Sequence, residues 1–316
     1  MKSSRKYWKF LLVFVFFAGV GLLLNACQPT PVFPSESVLA TSVSSSTPFM
    51  PPTKMVLPTL IQTATITPTA TKIPPTFTST VIPCLETTGN INEVNFYSKV
   101  LGEDIITNVY LPPCYDPDRE AGYPLLVMLH GQNGKQEQWI NLGMTSLADE
   151  WITSKKINPL VIVMPLERLY LLDSHLSKFD TALVEELLPQ LLDQYNLRQE
   201  WEYRAIGGLS RGGNWAVRIG FLYPDAFGKI GGHSFTTFAG DLRRVQDWIQ
   251  SVSAYRPALW FDIGETDHYR QYSEPFVLYL QQNQVPLEYN VNPGGHTIDY
   301  WEEHVDEYLA WYTRDW

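Results

Sequence analysis

A serine stands between two glycines in Gly208-Leu209-Ser210-Arg211-Gly212, just after the short apolar segment Ala205-Ile206 and just before an amphipathic stretch. A serine hydroxyl is a poor nucleophile at neutral pH. It needs a base to take its proton and a carboxylate to orient that base. The spacing suits a nucleophile elbow, a sharp strand-to-helix turn that pushes the hydroxyl out at the top of a sheet, with flanking positions small enough for two backbones to approach closely. Five-residue patterns recur by chance, so the surroundings decide: a strand before, a helix after, and an acid and a base later in the chain.

Both partners are present. In α/β-hydrolases the chain order is Ser, acid, His, and Asp267 and His296 follow Ser210 in that order. Asp267 lies in Gly264-Glu265-Thr266-Asp267, beyond the apolar run Ala258–Ile263; His296 lies in the glycine-rich turn Pro293-Gly294-Gly295-His296-Thr297. Glu265 is a rival for the acid, whereas Asp262 falls inside the expected strand. Among the other histidines, His304 falls in a closing helix, His175 in a loop and His268 beside the acid. The oxyanion formed on attack needs two backbone donors. The N–H of Arg211, directly after the nucleophile, is one. The N–H of Gln132, in Leu129-His130-Gly131-Gln132-Asn133-Gly134, is the other. His130 is expected to shape that loop as a hydrogen-bonded structural residue, and His233 is a candidate pocket-lining residue. Trp139, Trp215, Trp260 and Tyr300 are candidates for a sugar or aryl platform, with burial in the core as the alternative.

The elements that must position these residues alternate in type. Strands are expected over 105–111, 124–129, 160–164, 229–232, 258–263 and 287–291, and helices over 145–154, 181–195 (with Pro189 bending it), 214–223, 274–283 and 300–312. A further helix running to about Val252 is expected to be capped by Asp241. Continuous apolar runs such as Pro124–Leu129 mark strands buried on both faces, so the class is α/β with a mostly parallel central sheet and helices on both sides. The stretch 84–316 is long enough for one large α/β domain.

The first 27 residues have the form of an export signal. Lys2, Arg5, Lys6 and Lys9 precede the apolar run Phe10–Leu24, and Leu24-Asn25-Ala26-Cys27 resembles a lipobox, which makes Cys27 the expected lipid-attachment site. An uncleaved anchor is the alternative; either way the body is expected outside the cytoplasm, anchored to the bacterial membrane. Residues 28–83 are dominated by Thr, Pro and Ser, with only Glu36, Lys54 and Lys72 charged, and are expected to form a linker without a core. Removing residues 1–27 takes away four cations and no carboxylates, leaving 19 cations against 33 carboxylates and a formal charge of −14. Such a body repels nucleic acid, which is excluded as a partner. With Cys27 lipidated, Cys84 and Cys114 remain as a pair in an oxidising compartment. A disulfide is the expected reading, with two buried thiols as the alternative.

Pro124-Leu125-Leu126-Val127-Met128-Leu129-His130-Gly131, the Glu186-Leu187-Leu188-Pro189 helix, Ala205–Gly213, Gly264–Asp267 and His296–Trp301 together resemble the esterase family that is similar to esterase D and includes feruloyl and acetylxylan esterases, enterochelin esterases, S-formylglutathione hydrolases and mycolyltransferases. The resemblance spans roughly residues 90–312. It implies an α/β-hydrolase fold and hydrolysis of an acyl ester through an acyl-enzyme, without a cofactor. Two departures stand out: Arg211, where many members have Met, and Cys114, in a turn where members usually have Gly. Taken with an exported, stalked body, the resemblance points to acetyl or feruloyl esters on polysaccharide. Acyl transfer to an envelope acceptor and a non-catalytic surface binding module stay open as alternatives. No His-Glu-x-x-His or other clustered ligand spacing suggests a metal, and no dinucleotide fingerprint follows the first strands.

Overall fold

The continuous apolar runs become strands buried on both faces. The computed structural model describes residues 84–168 and 173–316; the export signal, Cys27 and the linker lie outside the described residues. Eight strands, β1 (Asn90–Ser98), β2 (Glu103–Leu111), β3 (Leu125–Leu129), β4 (Val161–Pro165), β5 (Arg204–Leu209), β6 (Lys229–His233), β7 (Ala258–Gly264) and β8 (Glu288–Asn292), form one sheet in the order β1-β2-β4-β3-β5-β6-β7-β8. The β1–β2 and β2–β4 pairs are antiparallel and all the others parallel. Register aligns Leu129 with Gly208, Gly208 with Gly232, and His233 with Asp262. The carboxyl ends of the central strands therefore finish at one level, the edge at which open α/β sheets build their sites.

Alternate residues of β3 enter opposite cores, as a two-residue period requires. Leu126 and Met128 pack with Trp151, Trp260, Tyr308 and Tyr312, under the helices Met144–Thr153, Ile298–Glu303 and Val305–Thr313. Leu125, Val127 and Leu129 pack with Leu187, Trp215, Phe221 and Phe276, under the helices Arg211–Leu222, Val245–Tyr255 and Arg270–Gln282. Trp139, Trp215, Trp260 and Tyr300 are each at most 4% exposed. They are core, and the aromatic platform proposed for them does not exist.

Several other expectations are corrected. The strand β1 went unforeseen. The helix expected over 181–195 is divided: a widened turn, Ala182–Leu187, precedes the α-helical Leu188–Gln194, with the Leu188 N–H donating to the Leu183 carbonyl five residues back and Pro189 in the first turn of the second part. Asp241 caps nothing. It is 1% exposed, forms an ion pair with Arg218, and the helix begins at Val245. The helix after β7 starts at Arg270 and carries Pro275 inside it, and the closing helix breaks at His304, whose Nδ1 lies 2.6 Å from the Tyr300 carbonyl oxygen. Cys84 and Cys114 are joined as a disulfide, with Cα atoms 5.8 Å apart, and the loop they close contains β1 and β2. No helix of the described residues is long and apolar enough to cross a membrane.

Candidate active site

Ser210 follows the last residue of β5 and precedes the helix Arg211–Leu222, with φ 51° and ψ −119°. A non-glycine residue at positive φ is strained, and surrounding contacts must hold it there. The Ser210 N–H donates to the His233 carbonyl at 2.8 Å, and its own carbonyl accepts from the Asn214 N–H at 3.0 Å. The flanking glycines are needed for space. A Cβ on Gly208 would lie 2.5 Å from the carbonyl carbon of Gly212, and one on Gly212 would overlap the Leu129 carbonyl oxygen. The elbow thus presses the helix N-terminus against the end of β3.

The three residues expected to act together are together. His296 Nε2 lies 2.9 Å from Ser210 Oγ, and His296 Nδ1 lies 2.8 Å from Asp267 Oδ2. Asp267 Oδ1 accepts from the Tyr269 N–H at 2.8 Å. Burial pushes the Asp267 carboxyl up, but the hydrogen bonds from His296 and the Tyr269 N–H outweigh it and hold the group below its ordinary value. The rival Glu265 is exposed, whereas Asp267 is 4% exposed. Asp262 lies within β7, as expected, and does different work. It accepts from His233 at 2.7 Å, Tyr300 at 2.7 Å and Tyr308 at 3.1 Å, while His233 Nε2 meets the Tyr312 hydroxyl at 2.9 Å. His233 is fully buried. Its carbonyl supports the elbow from beneath, and it is not among the residues lining the two cavities at Ser210, contrary to the expectation for it.

Gln132 and Arg211, the expected oxyanion donors, line a cavity together with Ser210, and a second cavity meets it there. One, of about 380 Å³, is lined by Gly131, Gln132, Ser210, Tyr269, His296 and Trp301. The other, of about 270 Å³, is lined by Gln132, Ser210, Asn214, Ser234, Thr236 and Phe238. Aromatic edges hold the imidazole in place: Tyr269 and Trp301 have ring centroids 4.7 and 4.9 Å from that of His296. His130 is 5% exposed and hydrogen-bonded, a structural role as expected. Glu167 was missed. It is 6% exposed at the carboxyl end of β4 and grips the Arg211 guanidinium through contacts of 2.8 and 3.2 Å. A carboxylate two residues beyond a fully apolar strand was the available signal. Among the described residues the only cluster with metal-ligand chemistry is Cys84, Glu86 and Cys114, whose two sulfurs are already bonded to each other.

The family described as "Putative esterase" matches residues 98–312. An endo-1,4-beta-xylanase/feruloyl esterase of Xylanibacter ruminicola is 31% identical over 153 residues, which cover 45% of this chain and 21% of that protein. An acetyl esterase of Caldicellulosiruptor saccharolyticus is 22% identical over 268 residues, 71% of this chain and 98% of that protein. A solved ferulic acid esterase superposes with a TM-score of 0.64 at 23% identity, covering 72% of this chain and 98% of that one. The curated relatives thus include proteins of which the match spans less than a third. The family match covers more than half of the chain and coincides with the folded body and its hydrogen-bonded Ser210, His296 and Asp267: the chain belongs to the esterase family.

Proposed function

We propose that the chain is a serine carboxylic-ester hydrolase, exported and lipid-anchored through Cys27, that removes acetyl or feruloyl groups from carbohydrate through an acyl-enzyme. The observation that carries the chemistry is the position of His296, 2.9 Å from Ser210 Oγ and 2.8 Å from Asp267. In this reading Ser210 Oγ attacks the ester carbonyl while His296 Nε2 takes its proton. Asp267 holds the Nδ1 proton and stabilises the imidazolium. The carbonyl oxygen, now negative, receives the N–H groups of Arg211 and Gln132. Collapse expels the alcohol, which takes the proton from His296 Nε2. Water then attacks the acyl-enzyme with His296 again as base, releasing the acid and restoring Ser210. Support for the substrate class comes from the names of the relatives, one a feruloyl and one an acetyl esterase, and from the two cavities that flank Ser210, room for an acyl and an alcohol half.

The test is release of p-nitrophenol from p-nitrophenyl acetate and of ferulate from methyl ferulate by the chain without its first 27 residues, against Ser210→Ala. A loss of at least about a thousandfold is expected; equal rates in the two proteins would sink the serine mechanism. Product analysis with a saccharide acceptor present separates hydrolysis from acyl transfer. Cys27→Ser in the full chain is expected to shift the protein out of the membrane fraction, and retention there would refute the lipid anchor.

A further inference from the structure

His130, Glu167 and Arg211 are held outside the Ser210–His296–Asp267 chain, on three different segments, yet their contacts form one continuous line. The Arg211 guanidinium donates to both Glu167 oxygens, at 2.8 and 3.2 Å. The Glu167 backbone N–H donates to His130 Nε2 at 2.9 Å. His130 Nδ1 lies 2.7 Å from the Gly131 carbonyl oxygen. The partners fix the tautomer: a backbone N–H can only donate to Nε2 and a carbonyl can only accept from Nδ1, so the ring is neutral with its proton on Nδ1. Burial favours that neutral form and holds the imidazole below the usual histidine value, outweighing the bond to Gly131, which pulls the other way.

Both ends of this line terminate on an oxyanion donor. Arg211 supplies one N–H. The Gly131 carbonyl belongs to the same planar peptide as the Gln132 N–H, so whatever fixes the oxygen also fixes the opposite-facing N–H. That oxygen accepts from the Gly134 N–H at 2.9 Å as well as from His130. Two donors on one carbonyl polarise the peptide and make its N–H a stronger donor. At the other end Arg211 neutralises the buried Glu167 carboxylate, and the bidentate contact fixes the direction of the guanidinium.

We infer that His130 and Glu167 are positioning residues of the oxyanion site, orienting the Gln132 N–H and the Arg211 N–H as one unit. The inference rests on the esterase reading. It also accounts for Arg211, where many family members have Met: the arginine and Glu167 are two halves of one device.

The test uses the chain without residues 1–27 and p-nitrophenyl acetate, with Ser210→Ala as the reference. His130→Leu is expected to lower kcat about 10- to 100-fold, a part of the 10²–10³ lost when a donor is removed outright, with KM within about threefold of wild type. Affinity for a trifluoromethyl ketone, whose adduct with Ser210 carries the oxyanion, should fall by the same factor as kcat/KM. His130→Asn keeps a donor for the Gly131 carbonyl and is expected to regain most of the loss. Glu167→Gln and Arg211→Met each remove one half of the ion pair and should each lower kcat, and combining them should lower it no further than either alone; recovery of the wild-type rate in the double variant would overturn the role of Glu167. Equal kcat for His130→Leu and His130→Asn, a loss confined to KM, or unchanged ketone affinity beside a lowered Tm would overturn the positioning role. A wild-type rate independent of Ser210 would sink the esterase reading and this one together. A Ser210-dependent rate that survives His130→Leu sinks this one alone.

Discussion

The backbone N–H of Ser210 donates to the carbonyl oxygen of His233 at 2.8 Å, so the strained elbow is the last rung of the ladder between β5 and β6. The His233 side chain is itself fixed by Asp262 and Tyr312. A serine at positive φ therefore sits on a buried, fully hydrogen-bonded support, and relaxing its backbone would break the sheet edge beneath it.

The carboxylate that orients His296 is Asp267, and the kinetics should say so. Asp267→Asn is expected to reduce kcat on p-nitrophenyl acetate by about 10⁴, the scale seen when the orienting acid of a triad is neutralised. Exposed Glu265, changed to Gln, should leave kcat within about threefold of wild type. The reverse ranking would move the acid to Glu265.

Stability at low pH should carry the same signature. Because the folded-state value of Asp267 is depressed, its ionised form contributes stability that is present above the unfolded value of about 3.9 and lost as the pH falls through the folded one. The Tm difference between wild type and Asp267→Asn is therefore expected to be largest near pH 6 and to shrink toward pH 3. A constant difference across that range would falsify the linkage.

Substrate contacts should come from Tyr269, and not from the buried tryptophans. Tyr269→Ala, at a position 37% exposed beside His296, is expected to raise KM several-fold with little change in urea stability. Trp260→Ala should cost about 3–5 kcal/mol and leave the KM of the remaining folded protein near wild type. A KM effect at Trp260 without destabilisation would revive the platform.

Asp262 should be a stability residue. It accepts three buried hydrogen bonds, from His233, Tyr300 and Tyr308, and Asp262→Asn disturbs all of them at once. Breaking such a network is expected to cost about 3–5 kcal/mol in urea unfolding; a cost below about 1 kcal/mol would show that the cluster contributes little.

The central strands were legible because β3 and β4 are unbroken apolar runs, and only a strand covered on both faces reads that way. Ser210, Asp267 and His296 were legible because each follows a strand, β5, β7 and β8 in turn, in the required order. The edge strand β1, Asn-Ile-Asn-Glu-Val-Asn-Phe-Tyr-Ser, was not, since its inward positions include Asn92 and Ser98 and its outward ones Ile91 and Tyr97, which blurs the alternation. The divided helix at 182–194 was half visible. Pro189 announced a bend, but the widened turn depends on the Leu188–Leu183 hydrogen bond, which leucine spacing cannot reveal. His233 and Asp241 went astray for a common reason: each looked local, and each is defined by partners far along the chain, Asp262 and Tyr312 for the first, Arg218 for the second. Glu167 was hidden in the same way by Arg211, 44 residues on.

The Cys84–Cys114 bond encloses the antiparallel edge of the sheet. Pulled from its amino-terminal side, a chain without this bond would peel β1 from β2 one rung at a time, the weakest direction in which to strain a strand pair. With the bond in place, tension arriving at Cys84 crosses directly to Cys114 and enters the body beyond β2. The edge hairpin is taken out of the path of the force, and a body tugged from that end is loaded through the chain leading into β3, at the heart of the sheet.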